Sequence, residues 1–135
     1  MEINTTYLRT ALEASWSRET SSTSDEWSEN RPSRGQCVPT ALVAQDFLGG
    51  DLQKLSTVFN AKQESHYRNV LPDGRIFDAA RLQYPDNQPL QVDKVELKGF
   101  GSIREKLLSE PDTLRRYQIL KEAVVKRLDK QSLQF

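Results

Sequence analysis

A chain of 135 residues suits one compact domain, about the span that a single hydrophobic core serves, and leaves no room for a second. With 36% hydrophobic and 28% charged residues its core must be lean, yet two Trp, four Tyr and five Phe exclude a disordered chain. Nineteen basic residues balance nineteen acidic ones, so no global basic field exists to hold a nucleic-acid backbone. The one cysteine rules out an internal disulfide and a multi-cysteine zinc site, and the one histidine narrows metal chemistry further. No stretch approaches the roughly 18 apolar residues of a membrane span, and Met1-Glu2-Ile3-Asn4 does not open a signal peptide. A cytoplasmic, soluble protein without a membrane partner is expected.

Thr5 or Thr6 is placed to cap a first helix, whose Leu8, Leu12 and Trp16 recur at helical spacing. Residues 17–36 are almost wholly polar and read as one long loop. Trp27 is its apolar exception and is expected to anchor it. A helix over about residues 37–48 follows, because Pro39 is tolerated only in a first turn and Gly49-Gly50 supplies the stop. Residues 52–59 alternate as a strand. Ser65 to Leu71 and Arg75 to Asp78 flank Pro72-Asp73-Gly74 and read as a hairpin. A weaker strand spans Val92 to Leu97, and Gly99-Phe100-Gly101 is a turn. Ser102 with Glu105 forms a capping pattern for a short helix to about Leu108. Pro111-Asp112 opens a last helix with Leu114, Tyr117, Leu120, Val124 and Leu128 on one stripe. The class is α+β: helices, a small antiparallel sheet, then helices.

Cys37 is the sharpest chemical feature. A thiol at a helix N-terminus meets the positive end of the macrodipole and unpartnered N–H groups, which favour thiolate and can also receive an oxyanion. A buried structural cysteine is the plainer reading. His66 and Asp78 add weight to the nucleophile. If residues 71–74 form a type I turn with Gly74 as a bulge, Leu71 pairs with Arg75, Arg68 with Asp78 and His66 with Ala80. His66, Arg68 and Asp78 then share a face, with His66 and Asp78 as diagonal neighbours roughly 7–8 Å apart at Cα. A carboxylate there holds the imidazole's tautomer and steadies its charged form. A tight two-residue turn would separate them, and a salt bridge from Asp78 to Arg68 is the competing arrangement. A Cys/His metal site falls short of the four ligands zinc prefers.

Trp27-Ser28, Pro32, Gly35-Gln36-Cys37, Thr40-Ala41-Leu42-Val43, Gln45-Asp46, Gly49-Gly50, Ser65-His66-Tyr67, Asn69, Leu71-Pro72-Asp73-Gly74 and Asp78 together resemble the YunG-like family of small bacterial proteins. The resemblance runs on through Arg116-Tyr117 and covers most of the chain from about Trp16. It departs at Arg31, Arg68 and Ala79-Ala80. The pattern in turn looks like the papain-like and transglutaminase-like cysteine folds. That likeness implies Cys37 as nucleophile, His66 as general base and acid, and Asp78 as the group orienting His66. It also implies an oxyanion role for Gln36 and a cleft bordered by Trp27, Tyr67 and Asn69. Trp27 is expected to pack against the start of the Cys37 helix.

The function expected is cysteine-dependent acyl transfer on an amide, by a peptidase, deamidase or transglutaminase-like enzyme working through a Cys37 thioester. No cofactor or metal is called for, and a protein or peptide is the expected substrate. One rival is a non-enzymatic protein-binding module on the same fold. The other is a nucleic-acid accessory using Arg104, Arg115, Arg116 and Lys126 as a basic face, which the zero net charge disfavours.

Overall fold

The computed structural model describes residues 4–132, so the reading of Met1, Glu2 and Ile3 lies outside the described residues. Helix α1 (Thr5–Ser15) is capped one residue earlier than expected, because the Asn4 carboxamide accepts the Thr6 N–H at 2.7 Å. Leu8, Ala11 and Leu12 form its buried stripe, and Trp16 closes it. The Trp16 indole then donates to Thr40 Oγ1 at 2.9 Å, tying the end of α1 to the first turn of α2 (Cys37–Leu48). Pro39 sits in that first turn, where its missing N–H costs nothing, and α2 stops at Gly49.

A four-stranded antiparallel sheet follows, in the order β3-β2-β1-β4. Strands β1 (Asp51–Phe59) and β2 (Lys62–Val70) pair along their whole length around a tight turn at Asn60-Ala61. Strands β3 (Ile76–Phe77) and β4 (Gln91–Val92) are two-residue edges, so the strand expected over 92–97 is mostly extended chain. Between β2 and β3 the Gly74 N–H bonds Leu71 O at 2.8 Å and the Leu71 N–H bonds Arg75 O at 2.8 Å. Gly74 takes φ of +89°, the bulge position that only glycine adopts without strain. Asn69 therefore opposes Phe77.

The two faces of the sheet are covered differently. Leu52, Asn69 and Phe77 face the helices, and the Asn69 carboxamide donates to Ala41 O on α2 at 2.9 Å. Helices α2 and α4 (Pro111–Ser132) pack together on that side, with Tyr117, Leu120 and Val124 buried. Short α3 (Ile103–Leu108), capped by Ser102, leads into α4. The other face carries Leu55, Thr57, Phe59, Glu64 and His66, and irregular chain covers it. Gln88 bonds Thr57 Oγ1, and Arg34 lies over the Phe59 ring. This placement explains the polar stretch over 17–36. It is no structureless loop but a 3-10 turn (Arg18–Thr20) and successive tight turns, with Thr20, Ser21, Ser33, Arg34 and Gln36 buried.

Among the described residues no helix is long and apolar enough to cross a membrane.

Candidate active site

Cys37 opens α2 against the edge of β2. Strand β3 pairs only with Asn69 and Val70, which leaves the β2 edge alongside residues 65–67 to the start of the helix. Cys37 Sγ lies 4.0 Å from Ser65 O, and the Tyr67 backbone N–H is near enough to help hold the thiol down. His66, between them, is fully buried. Its Nε2 lies 2.8 Å and 2.9 Å from the two carboxylate oxygens of Asp78. Asp78 was expected on the second hairpin strand with Ala80 opposite His66. Instead that strand ends at Phe77, and Asp78 stands at the N-cap position of a second 3-10 helix (Ala79–Gln83) without a capping bond from its side chain. The bulged turn keeps Asp78 on the His66 side, and the turn into the helix brings its carboxylate to the ring. Arg68 does not compete for it, since its Nε donates across the sheet to Gln53 Oε1 at 2.8 Å.

The electrostatics follow from this enclosure. Burial alone would push the Cys37 thiol up; the hydrogen bond and charge of His66, then the Tyr67 N–H and the Gln83 side chain, outweigh it and hold the thiol below its ordinary value. Burial would likewise push the His66 imidazole down, but Asp78 and Cys37 carry it up to about 9. Both shifts favour moving the thiol proton to the imidazole, with a carboxylate behind it. With Nε2 held by Asp78, the nitrogen left to serve the sulfur is Nδ1. Tyr67 feels the same pair: burial and then the Cys37 charge raise its phenol.

The remaining residues expected at the site fall differently. Gln36 is fully buried and turned to the 3-10 turn before it, its Nε2 donating to Ser17 O at 2.9 Å and its Oε1 accepting from Thr20 at 2.7 Å. The oxyanion role expected of it is therefore withdrawn. Trp27 braces the loop from within, donating to Pro32 O at 2.9 Å beneath the Arg18 guanidinium, rather than packing on the α2 start. Asn69 lies three residues along β2 from His66, hence on the opposite face, and its bond to Ala41 is structural. Tyr67, next to His66 on β2, faces the other side of the sheet and lines a cavity of about 490 Å³ with Lys54 and Ile103, near enough to Cys37 to feel its charge.

Four further residues enclose the site: Tyr84, which the sequence suggests as core or cleft lining, and Arg34, Glu64 and Gln83, which it does not single out. Arg34, 3% exposed, grips Glu64 with two N–H···O bonds of 2.9 Å and 2.5 Å. The Tyr84 hydroxyl donates to the same carboxylate at 2.9 Å, and its ring meets His66 edge-on at 5.5 Å. Burial and the neighbouring carboxylate push the Tyr84 phenol up. Gln83 Nε2 lies 3.1 Å from His66 Nδ1. Glu64 had a usable signal, because it sits two residues before His66 on a strand and so shares its face. Gln83 had none, since its place depends on a helix formed after the hairpin.

A family model described as YunG protein matches residues 4–129. This chain belongs to the YunG family. It is 30% identical over 125 residues to "Uncharacterized protein YunG" of Bacillus subtilis (strain 168), covering 91% of this chain and 93% of the relative. No solved structure matches the chain.

The four cations proposed as a basic face are each paired with an acid. Arg104 meets Asp46 at 2.8 Å, Arg115 and Arg116 share Asp112 at 2.7 Å and 3.1 Å, and Lys126 meets Glu122 at 3.2 Å. Each pairing lowers the field that side presents to a phosphate chain.

Proposed function

We propose that this YunG-family protein is a cysteine-dependent acyl-transfer enzyme acting on an amide, with a papain-like division of labour. The observation that carries the reading is the two-oxygen hold of Asp78 on His66 Nε2, which leaves Nδ1 for the sulfur. The chain order also supports it: a cysteine at a helix start, a histidine on the following sheet, and an aspartate just beyond the next strand. The Cys37 thiolate attacks the amide carbon. As the tetrahedral intermediate collapses, the C–N bond breaks and His66 gives its proton to the departing nitrogen, leaving a Cys37 thioester. His66, now neutral, takes a proton from the acceptor that attacks the thioester. Water as acceptor makes the enzyme a peptidase or deamidase, and an amine makes it transglutaminase-like.

Iodoacetamide alkylation against pH, with the adduct located by mass spectrometry, tests the proposal. The expected result is a single adduct on Cys37 and an inflection well below about 8.5, the value of an ordinary thiol. A slow reaction with its inflection at or above that value overturns it. That outcome supports a protein-binding module on the same fold, a reading favoured by one observation: Cys37 is only 7% exposed.

A further inference from the structure

With Gln36 turned away, an amide from elsewhere in the chain reaches the triad. Gln83 ends the second 3-10 helix, five residues after Asp78. Its side-chain oxygen is held twice, by the Gly35 N–H at 3.2 Å and by Arg34 Nη1 at 3.3 Å. Arg34 is itself fixed by Glu64. Gly35 has φ of +75°, and a Cβ there would stand 2.4 Å from Ser21 Oγ, so only glycine brings that N–H into place. The clamp leaves the amide one orientation. Its Nε2 faces inward, 3.1 Å from His66 Nδ1, and the Gln83 side chain is near enough to help hold the Cys37 thiol down. Gln83 also lines a cavity of about 310 Å³, walled by Trp16, Pro32, Ser33 and Leu82. One amide thus borders both an open cavity and the reacting pair.

We infer that Gln83 is a catalytic residue: its Nε2–H donates to the substrate carbonyl oxygen as that oxygen becomes an oxyanion, the substrate arriving through the cavity between Trp16 and Leu82. The inference rests on the acyl-transfer reading. In the step concerned, the sulfur lone pair forms the S–C bond and the C=O π pair moves onto oxygen. That oxygen takes the Gln83 hydrogen bond. On collapse the pair returns, the bond to the leaving group breaks, and the leaving group carries off its electron pair. Gln83 gains in this exchange because a localised oxyanion is a stronger acceptor than a diffuse thiolate sulfur. Its bond is therefore tighter in the transition state than before it, which is the condition for accelerating a reaction.

Two reactions of the same sulfur separate this role from a mere effect on the thiolate. Acylation by p-nitrophenyl acetate passes through an oxyanion and releases p-nitrophenolate, whereas alkylation by iodoacetamide displaces iodide and creates none. The ratio of the two rates cancels any change in thiolate fraction. Gln83→Glu keeps an oxygen for Gly35 and Arg34 but removes the inward N–H donor, and Gln83→Ala removes the whole amide without adding charge. In both the acylation-to-alkylation ratio is expected to fall about 10²–10³-fold, the usual cost of one oxyanion donor. A ratio within about threefold of wild type in either folded variant, whether both rates drop together or neither does, overturns the inference. Leu82→Trp at the cavity wall is expected to slow acylation at least about tenfold by displacing the ester; an unchanged rate removes the cavity from the proposal. Failure of the underlying reading shows in a different sample: wild-type protein without a nitrophenolate burst and with an unshifted alkylation inflection refutes acyl transfer, and the role of Gln83 with it.

Discussion

The two ends of α2 assemble similar side chains into different devices. At the N-terminal end Cys37, His66 and Asp78 meet with almost no solvent, the histidine and aspartate side chains being 0% and 11% exposed. At the C-terminal end Asp46 takes Arg104 and Lys121 at 2.8 Å each and the Tyr117 hydroxyl at 2.5 Å. Those two cations are 28% and 40% exposed. Both ends respect the helix dipole, with a thiol held down at the positive pole and cations at the negative one, where they offset Asp46. The difference lies in what can change. At the Asp46 end partly exposed ion pairs tie side chains of three helices together, so the cluster is a clamp holding α2 to α3 and α4. At the Cys37 end a thiol held down and an imidazole held up share an enclosed space, which favours charge on sulfur. Burial together with titration, rather than the presence of ionic contacts, distinguishes a reactive corner from a structural one.

The sharpest way to break the comparison is to substitute one aspartate at each end. Asp78→Asn should keep the fold while offering an amide N–H where His66 Nε2–H needs an acceptor. Nitrophenolate release should then fall by up to about 10⁴-fold, as the corresponding change does in the serine-protease triad. Asp46→Asn should leave the same rate within twofold. Equal losses at both ends would dissolve the distinction. Arg68→Ala serves as a control on the hairpin, since its partner is Gln53.

The pH dependence of stability offers a second, smaller effect with a definite sign. In the unfolded chain the histidine titrates near 6.5 and the thiol near 8.5. The raised His66 pKa contributes stability that is complete below about 6.5 and lost as pH climbs through about 9. The lowered Cys37 pKa contributes stability that is complete above about 8.5 and lost as pH falls toward the folded value. Just below about 8.5 the two oppose each other, because folding there moves one proton from sulfur to imidazole without net release. Urea melts of the wild-type protein should therefore vary less with pH there than those of a variant that keeps only one of the two groups. Cys37→Ser leaves only the His66 contribution, pinned by Asp78, so its stability should decline with rising pH at up to about 1.4 kcal/mol per unit. A flat profile in the serine variant would show that His66 is not held charged. A third measurement is smaller still: in His66→Gln the alkylation inflection should rise toward about 8.5, and a stationary inflection would mean that ring and sulfur do not communicate.

How much of this was legible in the sequence depends on how local each determinant is. Cys37 at the helix start follows from Pro39, a backbone constraint within two residues. The pairing of Leu71 with Arg75 follows from Pro72-Asp73-Gly74, which fixes the turn and with it the side of the sheet that Asp78 occupies. The extent of β3 did not follow, because the chain leaves the sheet after Phe77 to form a 3-10 helix that no strong propensity announces. Gln36 misled for a related reason. Adjacency to Cys37 in sequence says nothing about direction, and at the N-cap its side chain turns back to Thr20. The polar stretch over 17–36 misled most. Its composition reads as solvent-exposed, yet Arg34 is buried because Glu64 neutralises it on a sheet face that no helix covers. Such a residue is recognisable only once its distant partner is in place.

The smallest predicted effect belongs to the clamp itself. In Asp46→Asn the Tyr117 hydroxyl can still donate to the side-chain oxygen, while the charge facing Arg104 and Lys121 is gone. The cluster is neither a surface pair, worth about 0–1 kcal/mol, nor a sealed charged hydrogen bond, worth about 1.5–3 kcal/mol. A loss of about 1 kcal/mol is expected, a fall of a few degrees in Tm. Asp46 raises the Lys121 ammonium, so the variant should return that group toward the ordinary lysine value. High salt should shrink the difference between variant and wild type, because these side chains are open enough to be screened. Thermal melts at low and high salt, run beside iodoacetamide kinetics, check all of this in one preparation. A loss above about 3 kcal/mol that salt leaves untouched would mean that Asp46 behaves as a buried charge. A change in alkylation rate would mean that the helix transmits strain from one end to the other, and the two ends of α2 would then have to be read as a single device.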